Sequence, residues 1–264
     1  MKKSMPRDEF IRKRIERQKR IRRRRLICTF CFLIVMLLCV GAVLCLTVFF
    51  PIENIKVTGS ALYSAEDVIK HSGVELGDNL FSSSQKSAEK SLKSKLPYID
   101  KVEFERQVPS TLLIKVKDAD EYAAYCINER YYTVSKSGWV LSVSESPPEN
   151  LFLITGAKAE CAVGSAIVFS DGTQQSLVNS IAEAIKKEEI LLNSIDISNP
   201  LQITVNVESR FEVLIGTSNF LEEKIRHLGT MIESIEQSKR GKINLSIWTN
   251  DKPQATFKAL TDEN

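Results

Sequence analysis

Leu96-Pro97-Tyr98-Ile99 closes one pattern of the chain, and Val102-Glu103-Phe104-Glu105-Arg106-Gln107-Val108-Pro109-Ser110-Thr111-Leu112-Leu113-Ile114-Lys115-Val116 opens another. Val102 and Phe104 alternate with charged neighbours, Gln107 to Ser110 is a turn containing Pro109, and Leu112, Ile114 and Val116 alternate again. That is a β-hairpin. Upstream the spacing becomes helical: Ala88, Leu92 and Leu96 recur on one side of a helix opened by Ser82 and Gln85 and stopped before Pro97. An earlier helix starts at Ser64-Ala65-Glu66-Asp67, with Ser64 as its cap, and stops at Gly73; Gly77-Asp78-Asn79 turns between the two. Ile52 to Thr58 alternates and ends at Gly59-Ser60, a short strand. Residues 52–118 therefore read β-α-α-β-β, the size of a small unit whose two helices cover one face of a sheet.

From Asp120 onward short strands alternate with turn signals. Tyr122–Ile127, Tyr131–Val134 and Trp139–Val143 precede Ser146-Pro147-Pro148, and Leu151–Thr155 follows it. A helix over about Gln174–Glu189 carries Leu177, Val178, Ile181 and Ile185 on one side. Strands are expected at Ile195–Ile197, Leu201–Val207 and Phe211–Ile215. The helix Phe220–Gln237 then places Leu221, Ile225, Leu228, Ile232 and Ile235 in a stripe that suits packing onto a sheet better than a coiled coil. The chain closes with a strand Lys242–Thr249, a turn at Asp251-Lys252-Pro253 and a strand Ala255–Ala259; Thr261 to Asn264 are expected to fray.

Outward in the other direction lies Leu26–Phe50, which contains no charged residue. Its 25 residues make roughly 37 Å of helix, enough to cross a hydrocarbon core of about 30 Å. It is too long for a signal-peptide core and lacks a small-residue cleavage site, so the anchor should stay attached. The formal net charge of +3 conceals a partition: 13 Lys+Arg and 3 Asp+Glu in residues 1–25, none in 26–50, and a net of −7 beyond. Arg22-Arg23-Arg24-Arg25 abuts the span, which puts the N-terminus in the cytoplasm and residues 51–264 outside. The tail reads as a topology signal and an electrostatic anchor to anionic lipid. With the basic residues packed at one end and the rest acidic, overall charge does not argue for nucleic acid.

Cys28, Cys31, Cys39 and Cys45 sit in the apolar span as small hydrophobes, and the Cys28/Cys31 spacing has no matching metal-binding half. Cys126 and Cys161 are the outer cysteines; an oxidising compartment would allow one disulfide, and the sequence does not say whether their Cα atoms approach closely enough. His71 and His227, the only histidines, read as solvent-facing helix residues rather than catalytic bases. Ser83–Lys86 and Ser87–Lys90 match S-x-x-K, and Lys136-Ser137-Gly138 resembles K-[ST]-G, but no Asn follows a Ser at the S-x-N spacing. No catalytic residue, cofactor, metal ligand or small-molecule substrate is expected. An interaction protein is, with the terminal strand Ala255–Ala259 a candidate open edge. The alternative is a membrane-anchored, extracytoplasmic glycan-binding or sensor module.

The layout resembles the bacterial cell-division family FtsQ/DivIB: basic tail, one span, a β-α-α-β-β POTRA module and a mixed "β domain". Leu96-Pro97-Tyr98-Ile99 and Val102 to Val116 are similar to the family's P-[WY]-[VI] … V-x-R-x-x-P-x-T-L-x-I-x-V run. Gly59, Gly77-Asp78-Asn79-Leu80-Phe81 and the pair Tyr132-Thr133-Val134/Gly138-Trp139-Val140 also match. Asn244 and Ser246 depart from the usual I-D-L-R. The resemblance implies an α+β chain: tail 1–25, span 26–50, POTRA 51–119, β domain 120–260 with a C-terminal antiparallel sheet, and end 261–264. It implies a non-enzymatic, single-pass scaffold at the division septum. Such a scaffold binds FtsL-type and DivIC/FtsB-type partners outside the membrane and supports septal wall synthesis. By position it points to Ile247, Trp248, Thr256, Phe257 and Lys258 as partner-binding residues.

Overall fold

A computed structural model describes residues 24–41, 50–249 and 254–260. Helix α1 (Arg24–Gly41) has the length and composition of a membrane span, with its apolar side chains exposed throughout. Arg24 and Arg25 open it. Arg22, Arg23 and the rest of the tail, residues 42–49 of the expected span, the turn Asp251-Lys252-Pro253 and Thr261–Asn264 lie outside the described residues.

The chain divides into two compact units, one comprising residues up to Lys56 with Glu75–Ser83 and Glu105–Leu113, the other Val57–Val74, Ser84–Phe104 and everything from Ile114 onward. In chain order β1 (Asn54–Thr58), α2 (Ala65–Ser72), α3 (Gln85–Lys95), β2 (Ile99–Gln107) and β3 (Thr111–Asp118) follow the expected β-α-α-β-β sequence, with strand order β1-β3-β2. Local chemistry sets these bounds. Ser64 caps α2 by accepting from the Asp67 N–H at 3.1 Å, and Gly73 ends the helix at φ 72°, a left-handed value that favours glycine. Helix α3 is capped by Ser84, two residues later than expected, because Ser82 is held in the preceding turn by Asn79: its N–H and its hydroxyl both bond that residue.

The second unit carries a nine-stranded sheet. Its strands are β4 (Ala123–Ile127), β5 (Arg130–Val134), β6 (Val140–Ser144), β7 (Phe152–Thr155), β10 (Leu192–Asp196), β11 (Ile203–Val207), β12 (Phe211–Gly216), β13 (Gly241–Asn244) and β14 (Thr256–Ala259). The order is β14-β13-β12-β11-β10-β7-β4-β5-β6. A separate two-stranded ribbon, β8 (Ala159–Glu160) with β9 (Val168–Phe169), was not legible in the sequence, since two-residue strands carry no periodicity. Most junctions of the large sheet are antiparallel, but β4–β7, β7–β10 and β12–β13 are parallel. Parallel neighbours need a crossover, which α4 (Thr173–Lys187) supplies between β7 and β10 and α5 (Leu221–Ser234) between β12 and β13. Val178, Ile181 and Ile185 of α4 and Ile225 and Leu228 of α5 are buried in one core with Ile195, Val205, Val213 and Ile243 of the sheet. Truncating one such residue, Ile181→Ala for instance, would cost about 2–5 kcal/mol.

Candidate partner-binding edge

Among the described residues, β14 is the last strand at one end of the sheet. Strand β14 pairs antiparallel with β13 in the register Lys242↔Lys258, Ile243↔Phe257 and Asn244↔Thr256. The Leu260 N–H donates to the Arg240 carbonyl at 2.9 Å, so residues of even number on this strand turn their backbone groups inward. By the alternation of a strand, Phe257 and Ala259 turn theirs outward, where no further strand follows among the described residues. Thr256, Phe257 and Lys258 therefore all lie on an open edge.

Their side chains divide between the two faces. Phe257 is half-buried on the core side, its ring edge-to-face with Phe211 at 6.1 Å between centroids, and the Arg210 guanidinium lies 4.6 Å from the centre of the Phe211 ring. Gly241 makes this possible: a Cβ there would fall 2.5 Å from Phe257 Cε2 and even closer to the Lys258 carbonyl. Thr256 and Lys258 stand on the opposite, polar face. Lys258 is opposite Lys242, which is paired with Glu212 at 2.7 Å.

Ile247 and Trp248 lie elsewhere. The strand expected over Lys242–Thr249 ends at Asn244, whose side-chain oxygen accepts from the Ser246 N–H at 2.9 Å and the Ser246 hydroxyl at 2.7 Å. That local turn competes with further ladder bonds. It also occupies the two residues that replace the Asp and Arg of the related motif. Ile247 and Trp248 consequently sit on the segment between β13 and β14, Ile247 being 43% exposed. The Trp248 ring meets the His227 ring of α5 at a tilt of 55° with 5.1 Å between centroids, so His227 is a half-buried packing residue rather than the solvent-facing one expected. His71 binds the Asp67 carbonyl of its own helix at 2.9 Å through Nδ1.

The other motifs resolve into local structure. Lys136 pairs with Glu183 at 2.8 Å, and Ser83 donates to the Asn79 carbonyl. Glu183 raises the Lys136 pKa and Lys136 lowers that of Glu183. Cys126 and Cys161 are free thiols, and burial pushes Cys161 up to about 11, which keeps it protonated and unreactive at neutral pH. No group of acids, histidines and cysteines suited to a metal occurs among the described residues.

Sequence reasoning missed two polar side chains that brace the frame. Lys224, 2% exposed, donates to the Ile215 and Thr217 carbonyls at 2.8 and 3.0 Å, and burial lowers its pKa. Its place beside Leu221, Ile225 and Leu228, inside the apolar stripe of α5, was the available signal. Gln85 uses its amide as a short strand: Nε2 donates to the Val102 carbonyl at 2.9 Å and Oε1 accepts from the Phe104 N–H at 3.3 Å, which closes part of the β2 edge. Nothing in a lone Gln at a helix start announces that.

Known proteins resemble this chain in sequence. Residues 50–118 match the family model described as POTRA domain, FtsQ-type. The chain is 26% identical over 246 residues to cell division protein DivIB of Clostridium botulinum, covering 90% of this chain and 93% of that one. It is 27% identical over 219 residues to DivIB of Clostridium acetobutylicum, covering 81% and 86%. Over 137 residues, 52% of this chain and 51% of the relative, it is 23% identical to cell division protein FtsQ of Rickettsia bellii. With a helix of membrane-span length and composition, an FtsQ-type POTRA domain over residues 50–118 and relatives named cell division protein DivIB along most of its length, the chain is similar to the cell division proteins DivIB and FtsQ.

Proposed function

We propose that the chain is a non-enzymatic, single-pass scaffold of the divisome, with its N-terminus in the cytoplasm and its POTRA (51–119) and β (120–260) domains outside the membrane at the division septum. It binds a DivIC/FtsB-type partner by strand addition to β14, and an FtsL-type protein joins the same assembly in support of septal wall synthesis. The observation that carries this reading is the β14 edge, with the backbone groups of Phe257 and Ala259 directed outward. Backbone bonds from an added strand supply attraction, and side chains select the partner. Thr256 and Lys258 meet it on the polar face; Ile247 and Trp248 belong to the neighbouring segment and extend the contact. Arg22 to Arg25 set the orientation of the span.

Phe257→Asp alone is a blunt test, because Phe257 also holds β14 on the core. Ala259→Pro is sharper: it removes an outward N–H, adds a ring in the path of an incoming strand and leaves the bonds to β13 in place. In membranes cross-linked before extraction, Ala259→Pro should abolish co-purification of a DivIC-type partner, as should deletion from Ala255, while circular dichroism of the purified chain stays unchanged for Ala259→Pro. Undiminished capture would overturn the assignment of β14.

A further inference from the structure

The first compact unit contains the end of the membrane anchor and, beside it, three large apolar side chains that the fold leaves in the open: Leu76 is 67% exposed, Phe81 44% and Val108 62%. Their position along the chain's exit from the membrane is tied down by hydrogen bonds. The uncharged segment of the sequence runs to Phe50, which places that residue at the boundary between hydrocarbon and water. The Phe50 carbonyl accepts from the Leu80 N–H at 2.9 Å, and the Phe50 ring meets the Phe81 ring edge-to-face at 5.3 Å. Ile52 donates to the Asp78 carbonyl and accepts from the Gly77 N–H, both at 2.8 Å. The turn holding Val108 is bound one step later, through the Ser110 carbonyl, which accepts from the N–H groups of Glu53 and Asn54 at 2.9 and 3.2 Å. Arg106 pins the two loops together by donating to the Leu80 and Ser83 carbonyls. At no more than about 3.5 Å per residue, these bonds keep Leu76 within roughly 13 Å of Phe50 and Val108 within roughly 20 Å.

We propose that Leu76, Phe81 and Val108 form an apolar rim that dips into the headgroup region of the lipid bilayer and seats this unit on the membrane surface. The occupant is lipid because Phe81 of the rim packs on Phe50, the last residue of the uncharged segment. Side chains at this height bury apolar area in the acyl boundary, as interfacial helices do and as aromatic belts do at the ends of spans. Attraction to anionic lipid does not contribute: residues 50–56, 75–83 and 105–113 carry Glu53, Glu75, Asp78 and Glu105 against Lys56 and Arg106. The contact is therefore hydrophobic, insensitive to salt and independent of which side of the membrane the unit occupies.

The test uses the full chain, one copy per nanodisc, in phosphatidylcholine with or without bromine on the upper acyl carbons. Leu76→Trp and Val108→Trp each add an indole at an exposed position, read against the parent chain with its own Trp139 and Trp248. The expected result is blue-shifted emission from the added indole, loss of that emission in brominated lipid, and no change between low and high salt. Emission at the wavelength of a water-exposed indole, unquenched by brominated lipid, would overturn the proposal. So would a blue shift without quenching, which would mean that protein covers the rim. Neither outcome bears on partner binding at β14.

Discussion

The nine-stranded sheet has two edges, and they are treated differently. At β6 the outer backbone of Val140 is spent within the chain: its N–H donates to the Ser165 carbonyl at 2.9 Å and its carbonyl accepts from Gly164 at 3.0 Å. The Tyr98 hydroxyl adds a side-chain bond to Ser142 of β6 at 3.2 Å and another to Glu121 at 2.7 Å. At β14 nothing comparable is present among the described residues. The β2 edge belongs with the closed kind, since Gln85 occupies two of its backbone groups. Folded proteins cover or blunt exposed strands because an unpaired edge recruits other chains. The molecule occupies backbone of two edges with a loop and a glutamine, whereas among the described residues β14 carries no such cover, which is the contrast behind the proposed binding surface.

The contrast can be broken most severely from beneath. Gly241→Val puts a side chain where the Phe257 ring and the Lys258 carbonyl stand, so β14 should lift off β13. Overpacking of this kind costs about 1–3 kcal/mol, and partner capture in a pull-down should be lost with it. A lesser effect comes from opening a closed edge. Gln85→Ala frees the Val102 carbonyl and the Phe104 N–H, at a cost of about 1–3 kcal/mol if they stay dry. The detergent-solubilised chain should then self-associate with rising concentration by light scattering, whereas the parent should not.

The smallest effect is expected at Tyr98→Phe, which removes both hydroxyl bonds and about 0.5–1.5 kcal/mol in thermal or denaturant melts. This deficit should depend on pH. Burial, as the largest cause, raises the Tyr98 pKa, so the folded chain keeps the phenol protonated after the unfolded chain has begun to lose its proton. That contribution is complete below the unfolded value of about 10 and declines as pH rises through the higher folded value. The gap between parent and Tyr98→Phe should therefore narrow in melts above about pH 10 and stay constant near neutrality.

Much of the frame is visible in local pattern. Period-two alternation in Leu112, Ile114 and Val116, and helical spacing in Val178, Ile181 and Ile185, locate elements because burial on one face selects those residues. The misplacements have a common cause in short polar side chains. Asn79 draws Ser82 out of the α3 cap, and Asn244 ends β13 early, each by a side-chain bond that competes with regular structure. The candidate site was legible only in part. Thr256, Phe257 and Lys258 lie on the strand expected for them, while Trp248 was read as a strand residue and instead packs its ring against His227.

The sequence by itself determined the charge partition, the apolar span, the β-α-α-β-β order and the faces that must be buried, since each depends on residues close together in the chain. Which strand lies at an edge was decided only by the tertiary structure. An edge is defined by the neighbour a strand lacks, and β12, β13 and β14 acquire their order through a crossover helix and long-range pairing. The same holds for the guards: Gln85 meets Val102 and Phe104, and Tyr98 meets Ser142, only after the chain has folded back on itself. Backbone hydrogen-bonding capacity is the same at every non-proline residue, so it marks a site only once the fold has determined where that capacity is left unused.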